Sequence, residues 1–305
     1  MLMFAIKRLG LALLVTFTVS IISFSLVRMT GDVATAIAGE GATEADIEIV
    51  RQQYGLDRPL SVQYIEWSGK ILHGDLGQSL FFQRPVSEIL AEKLPVTLTL
   101  GLLALGFAVS LAIPLGVLAA VKPNSLIDRI SLIIAVLGQA MPTFWFALVM
   151  MVVFGVILRW LPVSGSDTLA HFVMPAIALG YYATPAIMRL TRAGMLDVLS
   201  SDYIRTARAK GLDTHVILFK HALRNAVIPV VSLAAVQLGF MLGGSIIVES
   251  IFSIQGVGHL ALISIERADF PVIQGIVLVL AVFYIFLTLL ADILNGWLDP
   301  RIRIS

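Results

Sequence analysis

"SSDYIRTARAKGLDTHVILFKHALRNAVIP", Ser200–Pro229, places the five Lys and Arg side chains Arg205, Arg208, Lys210, Lys220 and Arg224 within twenty residues, between long apolar runs on either side. Of the 305 residues, 58% are hydrophobic and 13% charged, against roughly 25% charged in an average soluble domain. The mean hydropathy is +0.93. A chain of this composition is an all-α integral membrane protein, and the charged stretch is a loop between two spans. Ser201 suits an N-cap, Asp202 suits the positive end of a helix, and Gly211 is a natural stop. At 1.5 Å per residue the intervening helix is about 13 to 14 Å long, too short to cross a bilayer. Asp213 opens a second short helix with Val216, Phe219, Lys220 and Leu223 on one stripe, ahead of Pro229. On the first helix Tyr203 and Ala207 share a face, with Arg205, Arg208 and Lys210 around it. Small residues flanked by charge suit a groove in another protein better than lipid; an interfacial loop meeting anionic lipid is the plainer alternative.

A spanning helix needs about 20 apolar residues. Six segments approach this: Leu9 to Val27, Val96 to Val121, Ile130 to Leu158, Phe172 to Met188, Ala226 to Val248 and Val272 to Leu294. The fourth is short and carries Pro175 and Pro185. The run after Lys7 and Arg8 lacks a small-residue cleavage pattern, so it reads as a retained span. Lys7, Arg8, Lys122, Arg129, Arg189, Arg192, the five basic residues of the opening stretch, Arg301 and Arg303 fall on one side, 13 of 21 in all. That side is the cytoplasm, with both termini on it. The organisation expected is a first span plus external loop (1–95), a five-helix core (96–297) containing the cytoplasmic segment 198–225, and a cytoplasmic tail (298–305). In the external loop, Thr43 and Asp46 suit a capped amphipathic helix with Ile47, Val50 and Tyr54 at helical spacing and Gly55 as its stop.

Net charge is +1 and there are no cysteines, so nothing points to nucleic acid and thiolate chemistry is excluded. No catalytic or metal-ligating constellation emerges. The nearest approach to a phosphate-binding Gly-Lys-[Ser/Thr] is Gly69–Lys70, followed by Ile71. His73, His171, His215, His221 and His259 are scattered. The fragments Val163–Asp167 and Gly243–Ser245 have no base nearby and read as a turn and a packing site. Glu249 and Asp292 lie at span ends and no ionisable group sits at a span centre, which weighs against ion-coupled pumping. Gln139, Thr143, Gln237, Met241 and Ser245 are the candidates for a translocation path; for the polar ones, interhelical hydrogen bonding is the equal alternative. Gly239 and Gly243 have the spacing that lets helices approach closely.

"DYIRTARAKGL", then "KHALRNAVIPVV" and "QLGFMLGGSIIVESIF", resemble the permease subunits of binding-protein-dependent ABC importers of the dipeptide, oligopeptide, nickel and glutathione group. Gly31 and Asp32, "YGLDRPLSVQY" (Tyr54–Tyr64), "GDLGQS" (Gly74–Ser79) and "DFPVIQG" (Asp269–Gly275) extend the resemblance over nearly the whole chain. It implies the type I importer transmembrane fold in a bacterial cytoplasmic (inner) membrane. The implied partners are a second homologous permease, two cytoplasmic ATPase subunits that bind ATP and Mg, an external solute-binding protein and the lipid bilayer, with no cofactor in this chain. It also implies a coupling helix at Asp202, Tyr203, Arg205, Thr206, Ala207, Arg208, Lys210 and Gly211. The general E-A-A-x-x-x-G core is departed from here, with Arg205 and Thr206 at its first two positions, Ala207 retained, and Val33 where many relatives carry proline. Peptides are the solute expected, ahead of glutathione, nickel chelates, small saccharides or opines. An ATP-independent channel or secondary transporter is the alternative from another class.

Overall fold

A computed structural model describes residues 2–30, 32–39 and 41–298; among them the regular elements are all helices. Gly31 and residues 299–305, with Arg301 and Arg303, lie outside the described residues. The first span is α1 (Leu2–Thr30). The external loop folds into α2 (Val33–Ala38), α3 (Glu44–Gln53) and α4 (Leu60–Leu72). The expected capping box closes α3: the Asp46 N–H donates to the Thr43 hydroxyl at 3.3 Å and the Thr43 N–H to the Asp46 carboxylate at 3.1 Å. Hydrogen bonds from the Thr43 side chain and backbone hold the Asp46 carboxyl below its ordinary pKa. Tyr54 is exposed, and Ile47 and Val50 are only half-buried, so the apolar face of α3 is incompletely covered. Helix α4 lies on α1 through Tyr64 and Trp67, whose rings meet Phe24 with centroids 5.5 Å away in both cases.

The second span, α5 (Val86–Val121), starts ahead of the expected Val96 and runs through Pro95, so a division at residue 95 falls inside a helix. The third is not one rod. It divides into α6 (Leu126–Ala140) and α7 (Thr143–Met150), continued by a π-helical turn Met151–Ile157, and the axis bends by 99° between the halves. Pro142 is the cause: it disfavours helical geometry at the residue before it, and Met141 is extended at φ −107°, ψ 136°. The fourth also divides, into α8 (Leu169–Tyr181) and α9 (Thr184–Leu199), with Pro185 at the opening of the latter. The segment expected to couple to the ATPase contains α10 (Asp202–Ala209), α11 (Thr214–Val216), a π-helical stretch Ile217–Ala222 and α12 (Leu223–Ala226). The last spans are α13 (Ile228–Ile251) and α15 (Phe270–Leu298), separated by the outer helix α14 (Val257–Glu266).

Helix α5 is the axis of the core. Ala104, Ala108, Ala112, Gly116 and Ala120 recur every fourth residue and are all buried. Lipid provides no hydrophobic drive for helix association, so contact depends on close van der Waals approach along such small-residue stripes. A Cβ on Gly180 of α8 would collide with the Ala104 carbonyl oxygen, and one on Gly116 with the Thr191 side chain of α9.

Two buried carboxylates tie the outer ends together. Glu249 of α13 accepts from the Thr97 hydroxyl at 2.8 Å and the His259 N–H at 2.9 Å, while Thr97 itself accepts from the Val257 N–H at 2.8 Å. The N-cap residue of α14 is Gly256, which has no capping side chain, so Glu249 and Thr97 satisfy its first-turn donors from neighbouring helices. Asp269 accepts from the Ser79 hydroxyl and from the Leu80 and Phe81 N–H groups, at 3.1 and 3.2 Å for the latter two. "GDLGQS" and "DFPVIQG", some 190 residues apart, are two halves of one joint.

Gly180→Val places branched carbons against a backbone that cannot yield, an overpacking cost of about 1–3 kcal/mol or more. Thermal unfolding of the detergent-solubilised chain should fall clearly, whereas Gly10→Val, at a site with nothing within 4 Å of an added Cβ, should leave it unchanged. Equal melting of the two variants would contradict the close packing of α5 on α8.

Candidate functional site

The two broken spans meet around a cavity of about 470 Å³. Gln139 and Thr143 reach it from either side of the α6–α7 bend, Tyr182 and Ala183 from the α8–α9 break, and Gln237, Phe240, Met241 and Gly244 from α13. Four of the five expected path residues, Gln139, Thr143, Gln237 and Met241, are therefore brought together. Ser245 is not: it is buried, and its hydroxyl donates to the Leu242 carbonyl at 3.1 Å. The helical repeat explains this, because Gln237, Met241 and Gly244 follow i, i+4, i+7 spacing. Ser245 instead lies toward Leu238 and Leu242, which pack at Gly101 of α5. Tyr182 and Phe240 form aromatic walls that the polar residues alone did not indicate; Pro142 and Pro185 were the available signal.

Among the described residues, no Asp, Glu, His, Lys or Arg side chain lines the cavity. It offers amide groups, the hydroxyls of Thr143 and Tyr182 and aromatic faces, which suit weak, charge-neutral contacts. One side is open: Phe240 is 65% and Ile247 53% exposed, and Gly243 has nothing within 4 Å of an added Cβ. The expected Gly239–Gly243 pair therefore divides its roles, since Gly239 receives the Tyr284 ring of α15.

At the cytoplasmic end, α10 is anchored by Ile204, which is completely buried, and by Ala207. They enter a cluster with Val117 and Ala120 of α5, Met195 of α9, and Ile217, Ala222 and Ala226. Ala207, expected on the outward coupling face, points into the chain; its partner at i−3, Ile204, was the residue to pair with it. Asp202, Tyr203, Arg205, Thr206, Arg208, Lys210 and Gly211 are exposed. Arg205 and Asp202 pair at 3.2 Å while both are largely exposed, a contact worth little to stability. Gly211 has φ +76°, and its N–H donates to the Arg208 carbonyl at 2.9 Å. It ends α10 in a left-handed conformation that a Cβ disfavours, with open space where a side chain would be.

The next helix departs from the expected stripe. Phe219 and Lys220 are exposed, while Ile217, Ala222 and Ala226 are buried. The intervening π-helical stretch follows i→i+5 bonding, which aligns Ile217 with Ala222 and turns Phe219 outward. Below this, Arg192 of α9 makes a bidentate pair with Asp128 of α6, Nε to Oδ1 at 2.8 Å and Nη2 to Oδ2 at 2.7 Å. The cytoplasmic ends of the two broken spans are thereby locked to one another.

Comparison with known proteins agrees with this architecture. Residues 112–304 match the family described as "Binding-protein-dependent transport system inner membrane component", and residues 1–101 match the N-terminal family of such membrane components. The chain is 43% identical over 304 residues to the glutathione transport system permease protein GsiC of Escherichia coli strain K12, covering 99% of each. It is 42% identical to GsiC of Shigella boydii serotype 4, again over 99% of each chain. Among solved structures, an inward-facing form of the MetNI methionine ABC transporter has a similar fold, with a TM-score of 0.58 at 20% identity over 69% of this chain and 96% of that one. The chain belongs to the binding-protein-dependent transport system inner membrane component family, as a multi-pass permease subunit of a bacterial inner-membrane ABC importer whose ATPase resides in separate subunits.

Proposed function

We propose that the chain forms one half of a conduit for peptide-like solutes, glutathione among them, delivered by an external binding protein. The observation that carries this is the charge-free cavity built at two helix breaks and open along α13. A second homologous permease closes the open side against Phe240, Gly243 and Ile247. Helix breaks leave backbone groups free to meet a solute, and interrupted spans are a recurrent place for substrate sites. Gln139 and Gln237 each present a donor and an acceptor, matching the amide groups of a peptide without demanding a particular side chain. Weak contacts fit a conduit fed by a receptor that already selects.

Two cytoplasmic ATPase subunits, which bind ATP and Mg, receive the exposed face of α10: Asp202, Tyr203, Arg205, Thr206, Arg208, Lys210 and Gly211. Their closure moves α10, and Ile204 carries the movement to α5 and α9 through the cluster around Met195 and Val117. The ATP cycle shifts the permease between outward- and inward-open states only by the difference in docking energy between them. In this scheme the basic side chains orient the contact, and the chain itself holds no cofactor.

Gln237→Ala should lower uptake of glutathione or a dipeptide by the reconstituted transporter about fivefold, equivalent to one hydrogen bond of roughly 1 kcal/mol, with basal ATP hydrolysis unchanged. Unaltered uptake with every peptide tested would remove Gln237 from the path. Gly211→Val strains the end of α10 and projects into the docking face. The expected result is normal membrane insertion with loss of solute-stimulated ATP hydrolysis; transport at the wild-type rate would show that α10 is not the lever.

A further inference from the structure

A second cavity, of about 310 Å³, lies on the cytoplasmic side between α10 and the start of α13. Lys220, His221, Arg224 and Asn225 line it together with Tyr203 and Ile228, and no carboxylate does. Among the described residues, neither Lys220 nor Arg224 has an acidic partner within ion-pair distance, unlike Arg192 and Arg205 nearby. Asn225 Nδ2 donates to the Tyr203 hydroxyl at 2.8 Å and to the His221 carbonyl at 3.2 Å. With that donor in place, the phenol keeps its own proton to give to an acceptor. The lining thus offers two fixed cations, an imidazole and a hydroxyl donor, and it fits a phosphate group.

Position selects the source of the phosphate. Ile228 is the first residue of the spanning helix α13. Nine residues before it, the outward face of the π-helical stretch carries Phe219, half exposed, with its ring tilted against that of His215 at 4.6 Å between centroids. Ile217, Ala222 and Ala226 on the opposite face pack into the protein, so the face left outward is an exposed aromatic ring beside Lys and Arg, the residue types enriched at headgroup level on the cytoplasmic side. Basic pockets at the cytoplasmic ends of spans suit anionic headgroups. We propose that this pocket holds the phosphate of an anionic phospholipid of the cytoplasmic leaflet. Because Tyr203 belongs to the coupling helix, the bound headgroup bridges α10 to the base of α13. The inference concerns lipid alone and stands whether or not the conduit carries peptides.

The test uses the full chain in nanodiscs of phosphatidylcholine with or without phosphatidylglycerol, counting retained lipid by native mass spectrometry. Wild type should retain phosphatidylglycerol, and Lys220→Gln with Arg224→Gln should weaken retention about thirtyfold, from roughly fivefold for each cation near an anionic surface. The charge-preserving pair Lys220→Arg with Arg224→Lys should restore it. Arg205→Gln with Arg208→Gln, outside the pocket, should not affect it. Undiminished retention in the first double variant would overturn the proposal. So would displacement of the lipid by millimolar inorganic phosphate, which would make the ligand soluble, or by the ATPase subunit, which would make the pocket a protein contact.

Discussion

A backbone N–H or C=O within a bilayer needs a partner, and an interrupted helix is tolerated there only where protein buries it or a polar cavity receives it. Two spans of this protein are interrupted, at Met141–Pro142 and at Tyr182–Ala183. Both interruptions border the same cavity, as expected where broken helices cannot face lipid, and that cavity is the proposed solute path. The prolines are therefore not blemishes in otherwise regular spans. They put Gln139, Thr143 and Tyr182 around a common space, facing the Gln237 stripe of α13.

Holding broken rods in register requires a rigid support, and α5 supplies it. Its four-residue repeat of Ala and Gly allows α8 and α9 to approach until backbone meets backbone. The outer ends are closed by Glu249 and Asp269, each satisfied by hydroxyl and main-chain donors from distant segments. At the inner end, Asp128 and Arg192 join α6 to α9, and Ile204 seats α10 on the same base. Packed interfaces of this kind move as bodies instead of deforming continuously. In the proposed mechanism, a displacement at α10 is passed through this packing to the helices that line the cavity.

Much of this was legible in the residues. Among the described residues, the hydropathy runs located four helices long and apolar enough to span and a fifth, bent span at α6–α7, while α8 is a shorter apolar helix; Thr43 and Asp46 gave the cap of α3, and Gly211 marked the end of α10. Of the five candidate path residues, Gln237 and Met241 share a face of α13 by the helical repeat, and Gln139 and Thr143 join them from either side of the α6–α7 bend. Other features depend on tertiary partners that one stretch of sequence does not display. Ser245 looked equivalent to Met241 until the side of α13 covered by α5 was known. Ala207 looked like part of an outward face because the burial of Ile204 beside it was not apparent. The register after Asp213 was misjudged because a π-helical stretch changes the period, and the apolar pattern assumes a constant one. The bend at Met141 follows from Pro142, but its magnitude of 99° is set by the packing around it.

The central claim is that the cavity between the broken spans is a conduit whose opening alternates with the ATP cycle. The chain contains no cysteine, and Gly244 lines the cavity with open space at its Cβ position, so Gly244→Cys gives this chain a single, sterically tolerated thiol whose labelling is read on this chain's own band. In the assembled transporter in oriented vesicles, labelling by a membrane-impermeant maleimide is measured separately from each side, nucleotide-free and with ATP trapped. The account predicts that the reactive side exchanges between the two states. Labelling from the same side at the same rate in both states would contradict it.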